Sequence, residues 1–368
     1  MQYYTLGSTG LRVSRLALGT MTFGEDWGWG SSATDSGEIF RRYIEAGGNF
    51  FDTANLYTEG NSERLLGKFI KDSGVRDKAV IASKFSFSTD PDNPNAGGNG
   101  RKNIRHAVEA SLKRLDTDYI DLYIMHTWDQ ITPPEEVMRT MDDLVREGKI
   151  LHVGLSDVPA WYAARAQSYA EYENLEPVSS IQLEYSLLER NLEHEFVPMS
   201  LSLGMGITCW SPLGSGLLTG KYSKADMDQD GDGRLHQMKD SQNPAFQKFS
   251  GRNFSIVDEV RAVAEKLDRS MAQVALNWAL NQPAISAVLV GASKIHQLED
   301  NLKALDFDIP KEMMQRLNEV SAPNQPFPYF FFDGVVQNMV HGNADVGSNH
   351  PNFHKETSIT APPPSEQD

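Results

Sequence analysis

Short apolar runs of strand length recur along the chain at 16–18, 49–53, 80–84, 120–126, 152–156, 181–185, 207–210 and 287–290. Runs such as IDLYIMH and SAVLVGA lack strict polar alternation, which is the pattern of strands covered on both faces. Between the runs lie segments whose apolar residues repeat with a helical period, among them 35–46, 62–71, 102–115, 134–146 and 271–280. Strands alternating with helices predict βαβ units and a parallel sheet. Eight such units predict an α/β fold closed as a (β/α)8 TIM barrel, with an N-terminal β-hairpin ahead of it, rather than an open doubly wound sheet. Gly148, after Val145-Arg146-Glu147, reads as a helix C-cap, and Lys149 leads into the fifth strand.

Two regions exceed ordinary connections. Residues 213–269 separate the seventh strand from the last clear helix, far more than a loop of roughly 2–6 residues requires. They are expected to hold a functional loop over the strand ends and an inserted helix at 256–267. The chain divides into a barrel, 1–320, and a C-terminal extension, 321–368. Within the extension, PFPYFFF at 326–332 is too aromatic to be left in water. It is expected to pack on the barrel near the pocket or at a subunit contact. The last residues, APPPSEQD at 361–368, have the composition of disorder. Beyond the strand–helix alternation there is no long-period repeat.

Charge and composition narrow the function classes. Lys plus Arg is 34 and Asp plus Glu is 50, a formal net charge of −16, which disfavours nucleic acid or an anionic membrane as partner. A hydrophobic content of 40% suffices for a large core. The single cysteine, Cys209, allows neither an internal disulfide nor a cysteine-based metal site. The start lacks a basic stretch followed by an apolar one, and no apolar run reaches about 18 residues. The expectation is a cytoplasmic protein acting on a small molecule, either as a monomer or as a homo-oligomer.

In a barrel of this kind, reactive groups sit at the C-terminal ends of the strands. The second run ends on Asp52, the third on Lys84 and the fourth on His126, and Tyr57 follows Asp52 by five residues. A phenol with pKa ~10 is a poor acid at neutral pH. Lys84 beside it is expected to lower that pKa, with Asp52 keeping the lysine charged. His126 would polarise a substrate oxygen. Such a set suits proton delivery to a developing alkoxide. No side chain supplies hydride, so a redox cofactor is implied. Taken singly, the aspartate reads as a turn residue, the histidine as a core residue, and the lysine as a Schiff-base nucleophile.

With these residues in place, the sequence resembles the aldo-keto reductases over about residues 1–320. Gly47-Gly48-Asn49-Phe50-Phe51-Asp52-Thr53-Ala54-Asn55-Leu56-Tyr57, continued by Ser62-Glu63-Arg64-Leu65-Leu66-Gly67, matches one signature. Leu115-Asp116-Thr117-Asp118-Tyr119-Ile120-Asp121-Leu122-Tyr123, leading into His126, matches a second. Gly148-Lys149-Ile150 with Gly154-Leu155-Ser156 matches a third. The resemblance implies a tetrad of Asp52, Tyr57, Lys84 and His126, with Tyr57 as the general acid. It implies NADPH-dependent, reversible reduction of a carbonyl to an alcohol.

No Gly-x-Gly-x-x-Gly opens a helix, and Gly97-Gly98-Asn99-Gly100 reads as a flexible connection. The small residues of 210–221 instead suit backbone approach to a pyrophosphate. The resemblance adds Trp210 as a platform for the nicotinamide, with Ser156 and Gln182 on its carboxamide. Asp157 stands where relatives often carry Asn, and an ionised Asp only accepts hydrogen bonds. Ser293 and Lys294 would hold a 2′-phosphate, with Gln297 and Asn301 at the adenine. Thr20, Met21, Asp52, Ser211, Pro212, Leu213, Ser215, Gly216, Leu217, Lys221 and Gly291 complete the expected cofactor contacts. Many relatives place an Arg near 293 and this chain does not, so NADPH is favoured and NADH is the alternative.

Trp27, Trp29 and Trp128, with Tyr57, suggest a flat apolar pocket for an aromatic or cyclic carbonyl, the bland alternative being that the tryptophans pack the loops. Residues 226–233 imitate a calcium loop, but position 12 is Gln237 where a bidentate Glu is needed, and no metal is expected. His341, His350 and His354 show no ligand spacing. Two other functions compete with reduction. One is a cofactor-binding regulatory subunit with little turnover, as channel-associated members of the family suggest; the other is a Schiff-base lyase using Lys84.

Overall fold

Strands β1 (Tyr3–Thr5) and β2 (Arg12–Ser14) form an antiparallel hairpin ahead of the barrel. The computed structural model describes residues 1–344 apart from 228–230, 232, 239, 333 and 343. His350, His354, the Pro-rich end and half of the calcium-loop mimic therefore lie outside the described residues. The barrel strands are β3 (Leu16–Gly19), β4 (Phe50–Asp52), β5 (Val80–Phe85), β6 (Ile120–Met125), β7 (Ile150–Ser156), β8 (Val178–Glu184), β9 (Gly206–Trp210) and β10 (Ile285–Gly291). Each neighbours the next in parallel, and β10 closes on β3. Each coincides with one of the runs read from the sequence.

The helices are α1 (Ala33–Glu45), α2 (Asn61–Ser73), α3 (Arg101–Leu115), α4 (Pro134–Arg146), α5 (Ala160–Glu173), α6 (Leu192–Leu203), the short α7 (Arg234–Gln237), α8 (Gly251–Leu267), α9 (Met271–Leu280), α10 (Ile295–Leu302), α11 (Lys311–Ser321) and α12 (Gly334–His341). Helix α8 is the expected inserted helix. It begins earlier than expected, at Gly251, because Ser250 accepts a hydrogen bond from the Asn253 N–H and caps it. After α4, Gly148 takes the left-handed conformation that its C-cap reading requires.

Side chains alternate across each strand, and this alternation aims the chemistry. Phe50, Val80, Ala82, Leu122 and Ile124 belong to an inner cluster that includes Ala17, Ala287 and Leu289. Phe51, Ile81 and Tyr123 belong to the outer cluster, packed among the helices. Positions of the inner parity at the strand ends are therefore Asp52, Lys84 and, just past β6, His126. The hairpin closes the opposite end, with Leu6 and Val13 in the inner cluster. Its turn needs Gly7. There φ is +58°, and a Cβ would come within 2.5 Å of the Gly204 carbonyl oxygen.

Of the two places expected for the aromatic part of the extension, it does not take the one beside the pocket. Phe327 is 82% exposed and Phe332 58% exposed. These rings pack mainly on one another, and Tyr329 stacks 5.2 Å from His194 of α6, on the outer helix ring rather than beside the pocket. No helix among the described residues is long and apolar enough to cross a membrane.

Candidate active site

Adjacent strand ends bring Asp52, Lys84 and His126 to one rim of the barrel, and the turn after β4 brings Tyr57 over them. The Lys84 ammonium donates to Asp52 Oδ1 at 2.5 Å, to the Thr53 carbonyl at 2.9 Å and to the Tyr57 Oη at 3.2 Å. Lys84 and Asp52 are both buried. Burial alone would lower the Lys84 pKa, but the Asp52 and Tyr57 charges and hydrogen bonds outweigh it, and the net shift is upward. The ammonium therefore stays charged. His126 is pushed well below its ordinary pKa, first by burial and then by the Lys84 charge, so its imidazole is neutral.

Tyr57 departs from the sequence expectation in electrostatics. Burial raises its pKa, Lys84 draws it back, and the net shift is upward rather than downward. The phenol is thus held protonated. Its place depends on a turn of left-handed residues: Thr58 at φ 46°, Glu59 at φ 56° and Gly60 at φ 80°. A β-branched residue in that region costs about 1–3 kcal/mol. Thr58 offsets the cost by donating to the Phe23 carbonyl at 2.8 Å and accepting from the Ser62 N–H at 2.9 Å.

Aromatic rings line the approach. Trp27 lies edge-on to Tyr57 with ring centres 6.3 Å apart, and Trp29 lies 5.5 Å from Trp27. Trp128, half-buried, packs against Trp161 and Tyr162 of α5, with centres 5.3 and 5.7 Å away. The ring that flanks His126, at 4.9 Å, is Phe87, which sequence reasoning did not single out. Also missed was Arg234, the first residue of α7, whose guanidinium lies over Trp29.

Comparison with known proteins matches the Aldo/keto reductase family over residues 15–322. The chain belongs to that family. It is 38% identical to an uncharacterized oxidoreductase, YrpG, of Bacillus subtilis, over 87% of this chain and 96% of that protein. It is 32% identical to an aryl-alcohol dehydrogenase [NADP(+)] of Phanerodontia chrysosporium, over 90% of this chain and 89% of that one. It is also 36% identical to a probable voltage-gated potassium channel subunit beta of Oryza sativa, over 89% of this chain and 98% of that protein. The chain is an oxidoreductase of the carbonyl/alcohol class.

The rest of this aldo/keto reductase's rim carries the residues expected at a cofactor. Ser156, the last residue of β7, is in register with Gln182, two residues before the end of β8. Gln182 donates its amide N–H to Asp52 Oδ2 at 2.8 Å, a link between the two halves of the rim that the sequence did not suggest. Asp157 accepts from the Trp210 indole N–H at 3.1 Å and lies 3.3 Å from the Ser156 hydroxyl. It is open to solvent but sits in the crowded barrel mouth. Partial desolvation pushes its carboxyl up to about 6, against the Trp210 and Ser156 hydrogen bonds.

After β9, Ser211, Gly214, Ser215 and Gly216 all have positive φ. Such a run turns successive N–H groups into a concave surface suited to an anion. Pro212 and Leu217 are buried, and Leu213 is partly buried against the core. Lys221 lies along Gly216, its ammonium 4.9 Å from the Tyr222 ring centre. Lys248 ties the long insertion to the rim by pairing with Glu184 at 2.8 Å.

Thr20 is buried behind Asp52, donating to its backbone carbonyl at 3.0 Å, with the half-buried Met21 beside it. Gly291, at the end of β10, is exposed, and Asn301 of α10 is buried. Gln297 accepts from the Ser293 and Lys294 N–H groups at 2.9 and 3.2 Å, folding the loop onto the start of α10. Lys294 pairs with Asp35 at 3.1 Å and is exposed. In the acidic segment of the insertion, Asp226 accepts from the Ser223 N–H and pairs with His236, at 2.7 Å each.

Proposed function

We propose that this aldo/keto reductase reduces an aldehyde or ketone reversibly to an alcohol, with NADPH as hydride donor and Tyr57 as proton donor. The observation that carries this reading is the Asp52–Lys84–Tyr57 chain of contacts at the barrel mouth. The cofactor supplies a hydride, two electrons and a proton's mass, to the carbonyl carbon. The phenol proton of Tyr57 goes to the carbonyl oxygen. The phenolate left behind faces the charged Lys84, which Asp52 holds in place, and is reprotonated from solvent. Neutral His126 keeps one N–H. Its Nδ1 is buried without a partner among the described residues, which leaves Nε2 to meet the substrate oxygen.

The residues fit such a cofactor. Trp210 and the Ser156–Asp157–Gln182 corner would face the nicotinamide, and the loop at 211–216, with its positive-φ residues Ser211, Gly214, Ser215 and Gly216, would face the pyrophosphate together with Lys221. Ser293 and Lys294 would take the 2′-phosphate once Lys294 leaves Asp35, and Gln297 and Asn301 would lie toward the adenine. A Schiff-base lyase is disfavoured because it needs a neutral amine, whereas Lys84 is a charged ammonium with three acceptors. Mixing the protein with NADPH and a panel of aromatic and cyclic aldehydes and ketones, and following nicotinamide absorbance, tests the reading. Tight NADPH binding with no turnover on the whole panel rejects it in favour of the regulatory-subunit reading.

Two further outcomes are expected. As pH rises through about 6, Asp157 loses its proton and with it the ability to donate to the carboxamide oxygen. It then also sets a negative charge toward an anionic cofactor. NADPH affinity should fall severalfold between pH 5 and 7, and Asp157→Asn should flatten that profile in a fluorescence titration. The same shift bears on folding. The folded carboxyl holds its proton more tightly than an unfolded one at ~3.9. Its stabilising contribution is therefore full below ~3.9 and is lost as pH rises to about 6. Separately, Trp29→Ala should raise KM for bicyclic aromatic aldehydes about tenfold, the size of a lost ring contact, and leave propanal within about twofold. Equal changes for both would reject a substrate role for Trp29.

A further inference from the structure

The chain leaves β5 through a backbone outlier. Lys84 points inward and Phe85 outward, where it stacks on Tyr123 with ring centres 5.0 Å apart. Continued alternation would send Phe87 outward as well. Instead Ser86 has a φ of 126°, a region that a residue with a Cβ rarely enters, and Phe87 turns to the mouth. Its ring centre is 4.9 Å from that of His126, and the two rings meet edge to face at 81°.

Two segments brace this corner. Ser86 is buried, and its hydroxyl oxygen accepts from the His126 backbone N–H at 3.1 Å. Its carbonyl oxygen accepts from the Gly98 N–H at 2.7 Å. At the neighbouring Gly97 a Cβ would come within 3.0 Å of the Ser88 Cα. The glycine cluster that reads as a flexible connection is therefore packed against the Ser86–Ser88 turn. A strained residue persists where its surroundings over-determine it, and such strain gathers at functional sites. Burial of Phe87 is a poor reason for the strain, since the ring is 42% exposed.

His126 gives a better one. Its Nδ1 is buried without a hydrogen-bond partner among the described residues, so that nitrogen does not fix the plane of the ring. Two aromatic rings stand edge-on to it instead, Phe87 at 4.9 Å and Tyr57 at 5.8 Å. We propose that Phe87, aimed by the turn at Ser86, is a positioning residue that holds the His126 imidazole in place for the substrate oxygen and keeps water off it. The assignment rests on the reductase reading above and adds a residue to it. Phe87 itself exchanges neither proton nor electron with the substrate.

The test is a double-mutant cycle on Phe87 and His126, with 4-nitrobenzaldehyde reduced at saturating NADPH. Phe87→Ala should lower kcat about tenfold, short of the ~10²-fold that a misplaced group can cost, and leave both KM values within about threefold. Phe87→Tyr, which keeps the ring edge, should return kcat to within about twofold of wild type. In a His126→Ala background, Phe87→Ala should change the residual kcat by less than about twofold, because nothing is left to position. An equal loss in both backgrounds overturns the proposal by placing Phe87 on the substrate, and an unchanged kcat in Phe87→Ala overturns it outright. A second readout needs no turnover. Lys84 of β5 and Tyr57 of the turn after β4 face the imidazole and remain in the variant. Followed by NMR and assigned by its loss in His126→Ala, the wild-type imidazole should stay neutral from about pH 8 to about 5.5, whereas in Phe87→Ala it should titrate closer to ~6.5. Matching titrations in the two proteins overturn the proposal. No reduction of the aldehyde by wild type counts against the reductase reading, and the titration then still judges Phe87.

Discussion

Tyr57→Phe should lower kcat/KM for aldehyde reduction by about 10³-fold, within the range for loss of a positioned general acid, while NADPH binds within about threefold of wild type. The separation follows from the contacts. The phenol oxygen is 3.2 Å from the Lys84 ammonium, whereas the ring makes edge contacts with Trp27 and His126 that phenylalanine keeps. Lys84 retains Asp52 and the Thr53 carbonyl in the variant, so no buried charge is orphaned. Nicotinamide absorbance gives the rate and cofactor fluorescence gives the affinity. A variant that reduces aldehydes at the wild-type rate would place the acid elsewhere. Loss of activity together with cofactor binding would make Tyr57 a structural residue.

Lys84→Met should be more damaging, because it strikes both chemistry and fold. Asp52 is 1% exposed, and after the substitution its carboxylate keeps only the Gln182 amide as a side-chain donor. Breaking one partner of a buried ion pair costs about 3–5 kcal/mol. Chemical denaturation should show that loss, and reduction should fall by at least ~10²-fold because no ammonium meets the phenolate. The double variant Asp52→Asn/Lys84→Met separates the two effects. With both charges gone, most of the stability should return, since an uncharged amide hydrogen-bonds to Gln182 without a buried charge. Activity should stay lost. A double variant as unstable as Lys84→Met would show that the cost is packing around the lysine stem rather than the orphaned carboxylate.

Much of the site was legible before any coordinates because strand alternation is local. Phe50 and Phe51 face opposite sides, so the inward aim of Asp52 follows from position alone, and the same holds for Lys84 and His126. Trp128 was not legible in this way. It follows His126 by two residues, but beyond the strand end there is no alternation to carry the inference, and its ring turns to Trp161 and Tyr162. Arg234 and Phe87 were missed for a related reason. Each lies in a connecting segment with no periodic pattern, and each becomes part of the mouth only through rings distant in the chain. The place of the aromatic extension was not legible either: within one chain its rings pack mainly on one another, and Tyr329 lies against His194.

The order of strands and helices, the closed barrel and the residue types at its rim were determined by the sequence itself. Apolar periodicity and strand parity are properties of neighbouring residues and need no long-range information. The tertiary structure decided the rest. It set the direction of the Tyr57 pKa, where burial outweighs the nearby lysine. It linked Gln182 to Asp52 and Trp210 to Asp157, and left Arg234 stacked on Trp29. Desolvation and charge pairing depend on every group packed around a site, and those groups meet only when the chain has closed.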